Sequence, residues 1–178
     1  MNKLLQGVDV YLIGMMGSGK STIGRILARK LHYRFFDTDD LIENVAGKKI
    51  KDIFATEGEA YFRELETKVL KEVSCLNRSA IATGGGIIQK PINWSYLRQG
   101  LIVWLDVDLD TLKKRLQRDR NRPLATELEP LLAKRRSLYA QADMHLATSG
   151  NSRPEQVADQ IIERIPDFIM RKEERGRS

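Results

Sequence analysis

Residues 14–22 read Gly-Met-Met-Gly-Ser-Gly-Lys-Ser-Thr, which fits the pattern G-x-x-x-x-G-K-[ST] of a phosphate-binding loop. The segment before the loop, residues 8–13, is apolar and β-prone. After the loop, apolar residues recur at helical spacing as far as Leu31. A strand, a glycine-rich loop and a helix in this order are the context that the pattern requires, so a loop that merely joins a strand to a helix is the weaker interpretation.

The chemistry expected of this loop follows from its residue types. Gly14, Gly17 and Gly19 can adopt backbone angles that side chains disfavour, which lets successive N–H groups turn toward one anion. Lys20 adds a full positive charge for the β- and γ-phosphates, and the Ser21 hydroxyl can ligate Mg²⁺. We therefore expect nucleotide phosphates to contact Gly17, Ser18, Gly19, Lys20, Ser21 and Thr22.

Length and composition predict one soluble domain. A chain of 178 residues, 42% hydrophobic and 30% charged, can bury a sizeable core and has no apolar run long enough to cross a bilayer. The few residues before the first strand are too short for a secretory signal, which favours a cytoplasmic location. The single cysteine, Cys75, excludes an internal disulfide and is expected to be a buried structural thiol.

The positive charge is concentrated in one segment. Residues 113–136 contain nine Lys or Arg and three Asp or Glu, which accounts for the whole net charge of +6. Such a patch is typical of proteins that bind nucleic acid or a small polyanion. Because nothing in the chain resembles a nucleic-acid-binding module, we expect nucleotide phosphate as the target and no nucleic-acid partner.

The periodicity predicts a three-layer α/β/α fold with a parallel sheet. Five short β-prone segments, at residues 8–13, 33–36, 80–82, 101–105 and 145–147, alternate with helical patterns. Residues 121–130 are expected to be a loop before a helix over residues 131–142, and Pro166 is expected to end the last helix. Ligands of such folds bind at the carboxyl ends of the strands.

Asp37 and Asp39 lie at the end of the second predicted strand. Alternate residues of an extended chain face the same side, so both carboxylates can face the cleft beside Lys20. One can serve Mg²⁺, usually through water, and the other can accept a proton from a substrate hydroxyl. In the alternative interpretation they cap the following helix, a role that Asp39 suits by position.

Three further features suit a phosphotransferase but are weak when taken singly. Arg63 and Glu66 are three residues apart on one helix face, and the arginine can bind a carboxylate in bidentate fashion. Residues 84–86 are three glycines that permit close backbone approach to a ligand. Arg122, followed by proline in a loop, can reach the γ-phosphate from a mobile lid.

In combination these motifs resemble the shikimate kinase family over residues 10–162. The resemblance rests on the ordered series Gly-Ser-Gly-Lys-Ser-Thr (17–22), Asp-Thr-Asp (37–39), Ile-Phe-Ala-Thr-Glu-Gly-Glu (53–59), Phe-Arg (62–63) with Glu66, Thr-Gly-Gly-Gly (83–86), Arg-Pro-Leu (122–124) and Arg135 with Leu-Tyr (138–139). The stretches Asn-Trp-Ser-Tyr (93–96) and Val-Trp-Leu-Asp (103–106) are similar to the cyanobacterial and plastid branch.

The resemblance implies a fold of the P-loop nucleoside-monophosphate-kinase type and ATP-dependent phosphorylation of the 3-hydroxyl of shikimate, a step toward chorismate and the aromatic amino acids. It implies one Mg²⁺ that accompanies ATP, held by Ser21 with Asp37 behind it. Asp39 would act as base, with Lys20 and Arg122 stabilising charge on the transferring phosphoryl group. The other implied contacts are Arg63, Arg135, Gly85 and Gly86 for shikimate, and Arg115 and Pro154 for adenine.

Further expectations concern organisation. Residues 1–166 would form a single kinase domain with a lid inserted at about 121–130, and residues 167–178 a charged tail. ATP and shikimate would be the only partners of a monomer in the cytoplasm, or in the plastid stroma if the source is a plant.

Two alternatives stay open at this stage. The acceptor can be another small molecule, such as gluconate or a nucleoside monophosphate. A lid segment shorter than the family's usual one is instead compatible with a silent homologue that binds nucleotide as a switch or scaffold. Ala147, where the family usually has aspartate, and Ser152, where some relatives have arginine, also depart from the family pattern.

Overall fold

A five-stranded, all-parallel sheet forms the middle layer of the computed structural model, which describes residues 7–118 and 127–176. The strands are β1 (Val10–Ile13), β2 (Arg34–Asp37), β3 (Ser79–Ala82), β4 (Leu101–Val107) and β5 (Met144–Thr148), in the spatial order β2-β3-β1-β4-β5. The expected parallel sheet of five strands is therefore confirmed.

Eight helices connect and flank the strands in the described part of the chain. They are α1 (Lys20–Leu31), α2 (Thr38–Ala46), α3 (Ile50–Thr56), α4 (Gly58–Ser74), α5 (Pro91–Leu97), α6 (Leu109–Arg118), α7 (Leu128–Tyr139) and α8 (Pro154–Gly176). A short 3-10 turn, Ile87–Gln89, lies between β3 and α5. No helix in residues 7–118 or 127–176 is long and apolar enough to span a membrane.

The alternation of side chains along β1 separates two apolar cores. Val10 and Leu12 pack on one face with residues of α1 and α8. Tyr11 and Ile13 pack on the other face with residues of α4, α5, α6 and α7. Because both faces of the sheet are covered by helices, its central strands are buried apart from the half-buried Asp106, as is usual for parallel sheets.

A third, smaller core positions the helices beside the site. Ile42 of α2, Ile53 of α3, and Phe62, Leu65 and Val69 of α4 bury one another. This packing fixes the N-terminal half of α4 over the carboxyl ends of β2 and β3. It also sets the direction in which Arg63 projects.

Three helix boundaries differ from the expectation, one of them being the end of α7, at Tyr139 rather than at residue 142. Helix α7 begins at Leu128 rather than at residue 131, because Pro130 lies in the first turn, where backbone N–H groups have no partner inside the helix. Helix α8 continues through Pro166 to Gly176, so the expected end at this proline is wrong. Ile165 and Ile169, on either side of the proline, are buried, and this burial offsets the hydrogen bond that proline removes.

Two side-chain predictions are also wrong. The helix cap is Asp37, whose carboxylate accepts from the Asp39 N–H at 3.0 Å, whereas Asp39 lies within the first turn of α2. Cys75 is exposed, since it follows the last residue of α4 and lies outside the apolar face of that helix.

Candidate active site

The phosphate-binding loop has the backbone conformation that its glycines predict. Gly14, Gly17 and Gly19 all have positive φ angles, of 144°, 78° and 89°. At Gly14 a side chain is also excluded by space, since a Cβ there would lie 2.7 Å from the Leu105 carbonyl oxygen. Gly19 immediately precedes α1, so the positive end of that helix faces the inside of the loop.

Lys20, the first residue of α1, is held inside the loop. Its ammonium group donates to the carbonyl oxygens of Gly14 at 2.9 Å and Met15 at 2.8 Å, and to Ser18 Oγ at 3.3 Å. The side chain is only 8% exposed, so these oxygens replace the water that the charge would otherwise bind. The charge is thus concentrated at the anion-binding face of the loop.

Ser21 and Asp37 form a pair of oxygen ligands next to the loop. The Ser21 hydroxyl donates to Asp37 Oδ2 at 2.5 Å, which joins the start of α1 to the end of β2. A hydroxyl and a carboxylate are ligands that suit Mg²⁺. Among residues 7–118 and 127–176, no group of three or more His, Cys, Asp or Glu side chains is arranged to hold a metal.

Among the other residues predicted to bind nucleotide, Ser18, Thr22 and Arg115 lie in or next to the same loop. Ser18 is buried and Thr22 is exposed on α1. Arg115 of α6 donates to the Gly17 carbonyl oxygen at 2.9 Å, which places its guanidinium at the edge of the loop. Pro154 is the first residue of α8. Arg122 falls outside the described residues.

Beside the loop, a cavity of about 140 Å³ gathers every residue predicted to bind the second substrate. It lies at the carboxyl ends of β2 and β3, where their paired final residues, Asp37 and Ala82, meet. Its lining residues are Met16, Asp39, Ile50, Phe62, Arg63, Glu66, Gly84, Gly85, Gly86 and Arg135. These residues come from six separate segments of the chain.

The polar groups of the cavity are largely buried. Arg63, with a side chain 14% exposed, donates to Glu66 Oε2 at 2.9 Å, and Glu66 is 1% exposed. Burial raises the pKa of Glu66, although the positive charge of Arg63 opposes this shift. Three-residue spacing is also that of a routine surface salt bridge, but this pair is buried, because α4 turns it toward the cavity.

Two buried polar atoms in the cavity wall lack a partner in the described part of the protein. They are Glu66 Oε1, an acceptor, and Arg135 Nε, a donor. Buried polar atoms without partners are rare in folded proteins.

The glycine segment of residues 84–86 is pressed against the cavity side chains. A Cβ on Gly84 would lie 2.9 Å from Asp39 Oδ1, and a Cβ on Gly86 would lie 2.7 Å from Arg63 Cζ. Glycine is needed here because the backbone approaches the Asp39 and Arg63 side chains closely, while the expected approach to a ligand stays a prediction.

Two supporting residues have no role in the sequence prediction. Thr38 Oγ1 accepts from the Gly84 N–H at 3.1 Å, and Tyr139 donates to the Gly85 carbonyl oxygen at 2.6 Å. Both side chains are fully buried, and burial raises the pKa of Tyr139 to about 12. They hold the glycine segment between α2 and α7. Both lie within motifs quoted above, which was the available sequence evidence.

The basic segment divides between site and surface. Arg115 and Arg135 reach the loop and the cavity. By contrast, Lys113 pairs with Glu129 at 3.6 Å and Arg136 with Asp106 at 3.0 Å. The concentration of charge in this segment therefore has two origins, a binding site and ordinary surface ion pairs.

A phosphate-binding loop that adjoins a cavity lined by two arginines is the arrangement of a P-loop kinase that acts on small molecules. The sequence model of the family described as Shikimate kinase matches residues 16–166. The chain belongs to the shikimate kinase family.

Relatives and a solved structure agree with this assignment. The chain is 56% identical over 171 residues to a shikimate kinase from Microcystis aeruginosa, covering 93% of this chain and 90% of the relative. It is 54% identical over 178 residues to one from Rippkaea orientalis, covering 97% and 95%. The structure of shikimate kinase from Acinetobacter baumannii in complex with shikimate is similar with a TM-score of 0.88 and 35% identity, covering 94% of this chain and 98% of that one.

Proposed function

We propose that this chain transfers the γ-phosphate of ATP to the 3-hydroxyl of shikimate, within chorismate and aromatic amino-acid biosynthesis. One observation carries the proposal: the phosphate-binding loop adjoins a single cavity that contains Asp39, Arg63, Gly85, Gly86 and Arg135 together. Family membership supports the same acceptor, and neither gluconate nor a nucleoside monophosphate offers a carboxylate and a hydroxylated ring in this arrangement.

The charges of the cavity suit a hydroxylated ring acid. The guanidinium groups of Arg63 and Arg135 would bind the shikimate carboxylate. The backbone of Gly85 and Gly86 would approach the ring.

Proton transfer would fall to Asp39. Its carboxylate would accept the proton of the 3-hydroxyl as that oxygen forms a bond to the γ-phosphorus, while the bond from the γ-phosphorus to the β,γ-bridging oxygen breaks and ADP leaves. Lys20 would stabilise the charge that develops on the transferring group and on ADP. Arg122 would add a second positive charge from the lid.

Ser21 and Asp37 would hold the Mg²⁺ that accompanies ATP, which supplies charge neutralisation and orientation of the phosphates. Their hydroxyl–carboxylate pair at the loop fits such an ion. Arg115 and Pro154 would flank the adenine. A single domain over residues 1–166 with a lid at about 121–130, the tail of residues 167–178, the monomeric state and the cytoplasmic location stay predictions.

A shikimate-dependent ADP-release assay with MgATP tests the function. We expect turnover by the wild-type chain, none by Lys20→Ala, and little with gluconate or nucleoside monophosphates in place of shikimate. ATP binding by calorimetry without any shikimate-dependent turnover would contradict the proposal and support a nucleotide-binding scaffold instead.

A further inference from the structure

Gln89 lies next to Arg63 and Arg135, the two arginines of the cavity, and belongs to a short turn. It is the last residue of the 3-10 turn Ile87–Gln89, and its N–H donates to the Gly86 carbonyl oxygen at 3.1 Å. The two preceding isoleucines are buried in the core, and their carbonyl oxygens accept from Asn93 at 2.8 Å and Trp94 at 3.0 Å. The backbone of the turn is therefore fixed, while the Gln89 side chain is exposed.

The Gln89 amide bridges the two guanidinium groups. Hydrogen bonding requires its oxygen, rather than its nitrogen, to face them, because guanidinium nitrogens can only donate. The oxygen then accepts from Arg63 Nη2 at 3.2 Å and from Arg135 Nη2 at 3.1 Å. One neutral oxygen thus contacts two cations that come from different helices, α4 and α7.

Because the Gln89 amide is neutral, it can hold the two guanidinium groups together without neutralising their charge. Two guanidinium groups repel each other, and a carboxylate between them would hold them together but cancel much of their charge. The glutamine oxygen attracts both N–H groups and adds no further negative charge to the site. Glu66 and Glu59, which pair with Arg63 at 2.9 and 3.3 Å, contact only that arginine.

We propose that Gln89 is a positioning residue that sets the separation and orientation of the Arg63 and Arg135 guanidinium groups, and through them the affinity for the carboxylate of the ring acid. The inference rests on the proposed function. Gln89 acts on binding of the acid and has no part in phosphoryl transfer or in nucleotide binding.

The test compares Gln89→Met, which keeps the length of the side chain without an acceptor, Gln89→Ala and Gln89→Glu. Shikimate Kd is measured by calorimetry, and KM and kcat by ADP release. We expect Gln89→Met and Gln89→Ala to raise shikimate Kd and KM about fivefold to 20-fold, since hydrogen bonds to charged groups are lost. Gln89→Glu should raise them further, because its carboxylate competes with the substrate. The KM for ATP and kcat should change less than about twofold.

Two controls separate positioning from general damage. Gln141→Met removes another exposed glutamine that accepts from an arginine, Arg98 at 3.4 Å, next to the N-terminal edge of the sheet, and it should leave shikimate binding unchanged. The methyl ester of shikimate lacks the carboxylate charge, so its binding should be weak and nearly equal in wild type and Gln89→Met.

The outcomes are distinct. Shikimate binding within about twofold of wild type in Gln89→Met, an equal loss for the methyl ester, or an equal rise in the KM for ATP would each overturn the inference. A wild-type chain that binds shikimate but releases no ADP would overturn the proposed function alone, since the calorimetric comparison needs no turnover.

Discussion

Gly86 offers a sharp test of the arginine assignment, because a single methyl group there would displace a functional side chain. Its φ of −96° and ψ of 1° are accessible to alanine, so Gly86→Ala adds no backbone strain of the left-handed kind. The new Cβ would lie 2.5 Å from Arg63 Nη2 and 2.7 Å from Arg63 Cζ. Real Cβ contacts are not this short, and the guanidinium must therefore move.

The size of the effect follows from what the guanidinium would lose. Arg63 is fixed by Glu66 at 2.9 Å and lies over the Phe62 ring, with 5.1 Å from Cζ to the ring centroid. Displacement would misalign a bidentate bond to the substrate carboxylate. A hydrogen bond to a charged group contributes about 1.5–3 kcal/mol, so about 3 kcal/mol is at risk. This corresponds to a fall of about 100-fold in kcat/KM for shikimate.

The assay is steady-state ADP release with shikimate varied at saturating ATP, and then with ATP varied at saturating shikimate. We expect the loss in kcat/KM for shikimate, with the KM for ATP within about twofold of wild type. A double-mutant cycle with Arg63→Ala gives the control: once Arg63 is absent, the change at Gly86 should cost less than about threefold.

Two results would refute this reasoning. One is a Gly86→Ala enzyme whose kcat/KM for shikimate stays within about threefold of wild type. The other is a double mutant, Gly86→Ala with Arg63→Ala, in which the two losses of kcat/KM multiply. The methyl group would then act through something other than Arg63.

Three further predictions concern one residue each. Asp39→Asn should lower kcat about 10²–10⁴-fold without changing the melting temperature, and a near-normal kcat would remove Asp39 from the base role. Tyr139→Phe loses the bond to Gly85, so urea denaturation should give a free energy of unfolding about 1–2 kcal/mol lower, and an unchanged value would contradict the bracing of the glycine segment. Burial raises the pKa of Asp9 from 3.8 to about 6, so the folded state holds this proton more tightly than the unfolded chain. The free energy of unfolding should therefore fall by up to about 3 kcal/mol as pH rises from about 4 through about 6, and urea denaturation at several pH values should show no such fall in Asp9→Asn, which keeps an acceptor for the Ser79 N–H.

Contiguous stretches of the chain were enough to predict the nucleotide side of this site. The loop at residues 14–22 specifies its own backbone through its glycines, and its neighbours specify a strand and a helix by local periodicity. Alternation of strands and helices then leads to a parallel sheet, since other connections are rare. On the substrate side, residue types and spacing suggested Asp39, Arg63 and the three glycines, whereas Arg135 came only from the resemblance to a family.

Tertiary packing decided what local pattern could not. The pair Arg63 and Glu66 has the spacing of a surface salt bridge, and only the packing of α4 against α2 and α3 turns it into a buried part of a cavity. Cys75 is exposed and Pro166 lies within a helix for the same kind of reason. Burial is a property of what lies opposite a residue, and that neighbour is far away in sequence.

Gln89 is the clearest example of this limit. The residues next to Gln89 in sequence give no indication of a role. Its two contacts are Arg63 and Arg135, on helices that begin 31 residues before it, at Gly58, and 39 residues after it, at Leu128. The sequence by itself determined the phosphate-binding loop and the order of the elements, because those depend on interactions between near neighbours. The anion cavity was decided by the tertiary structure, because its lining residues meet only when six segments that are distant in sequence fold against one another.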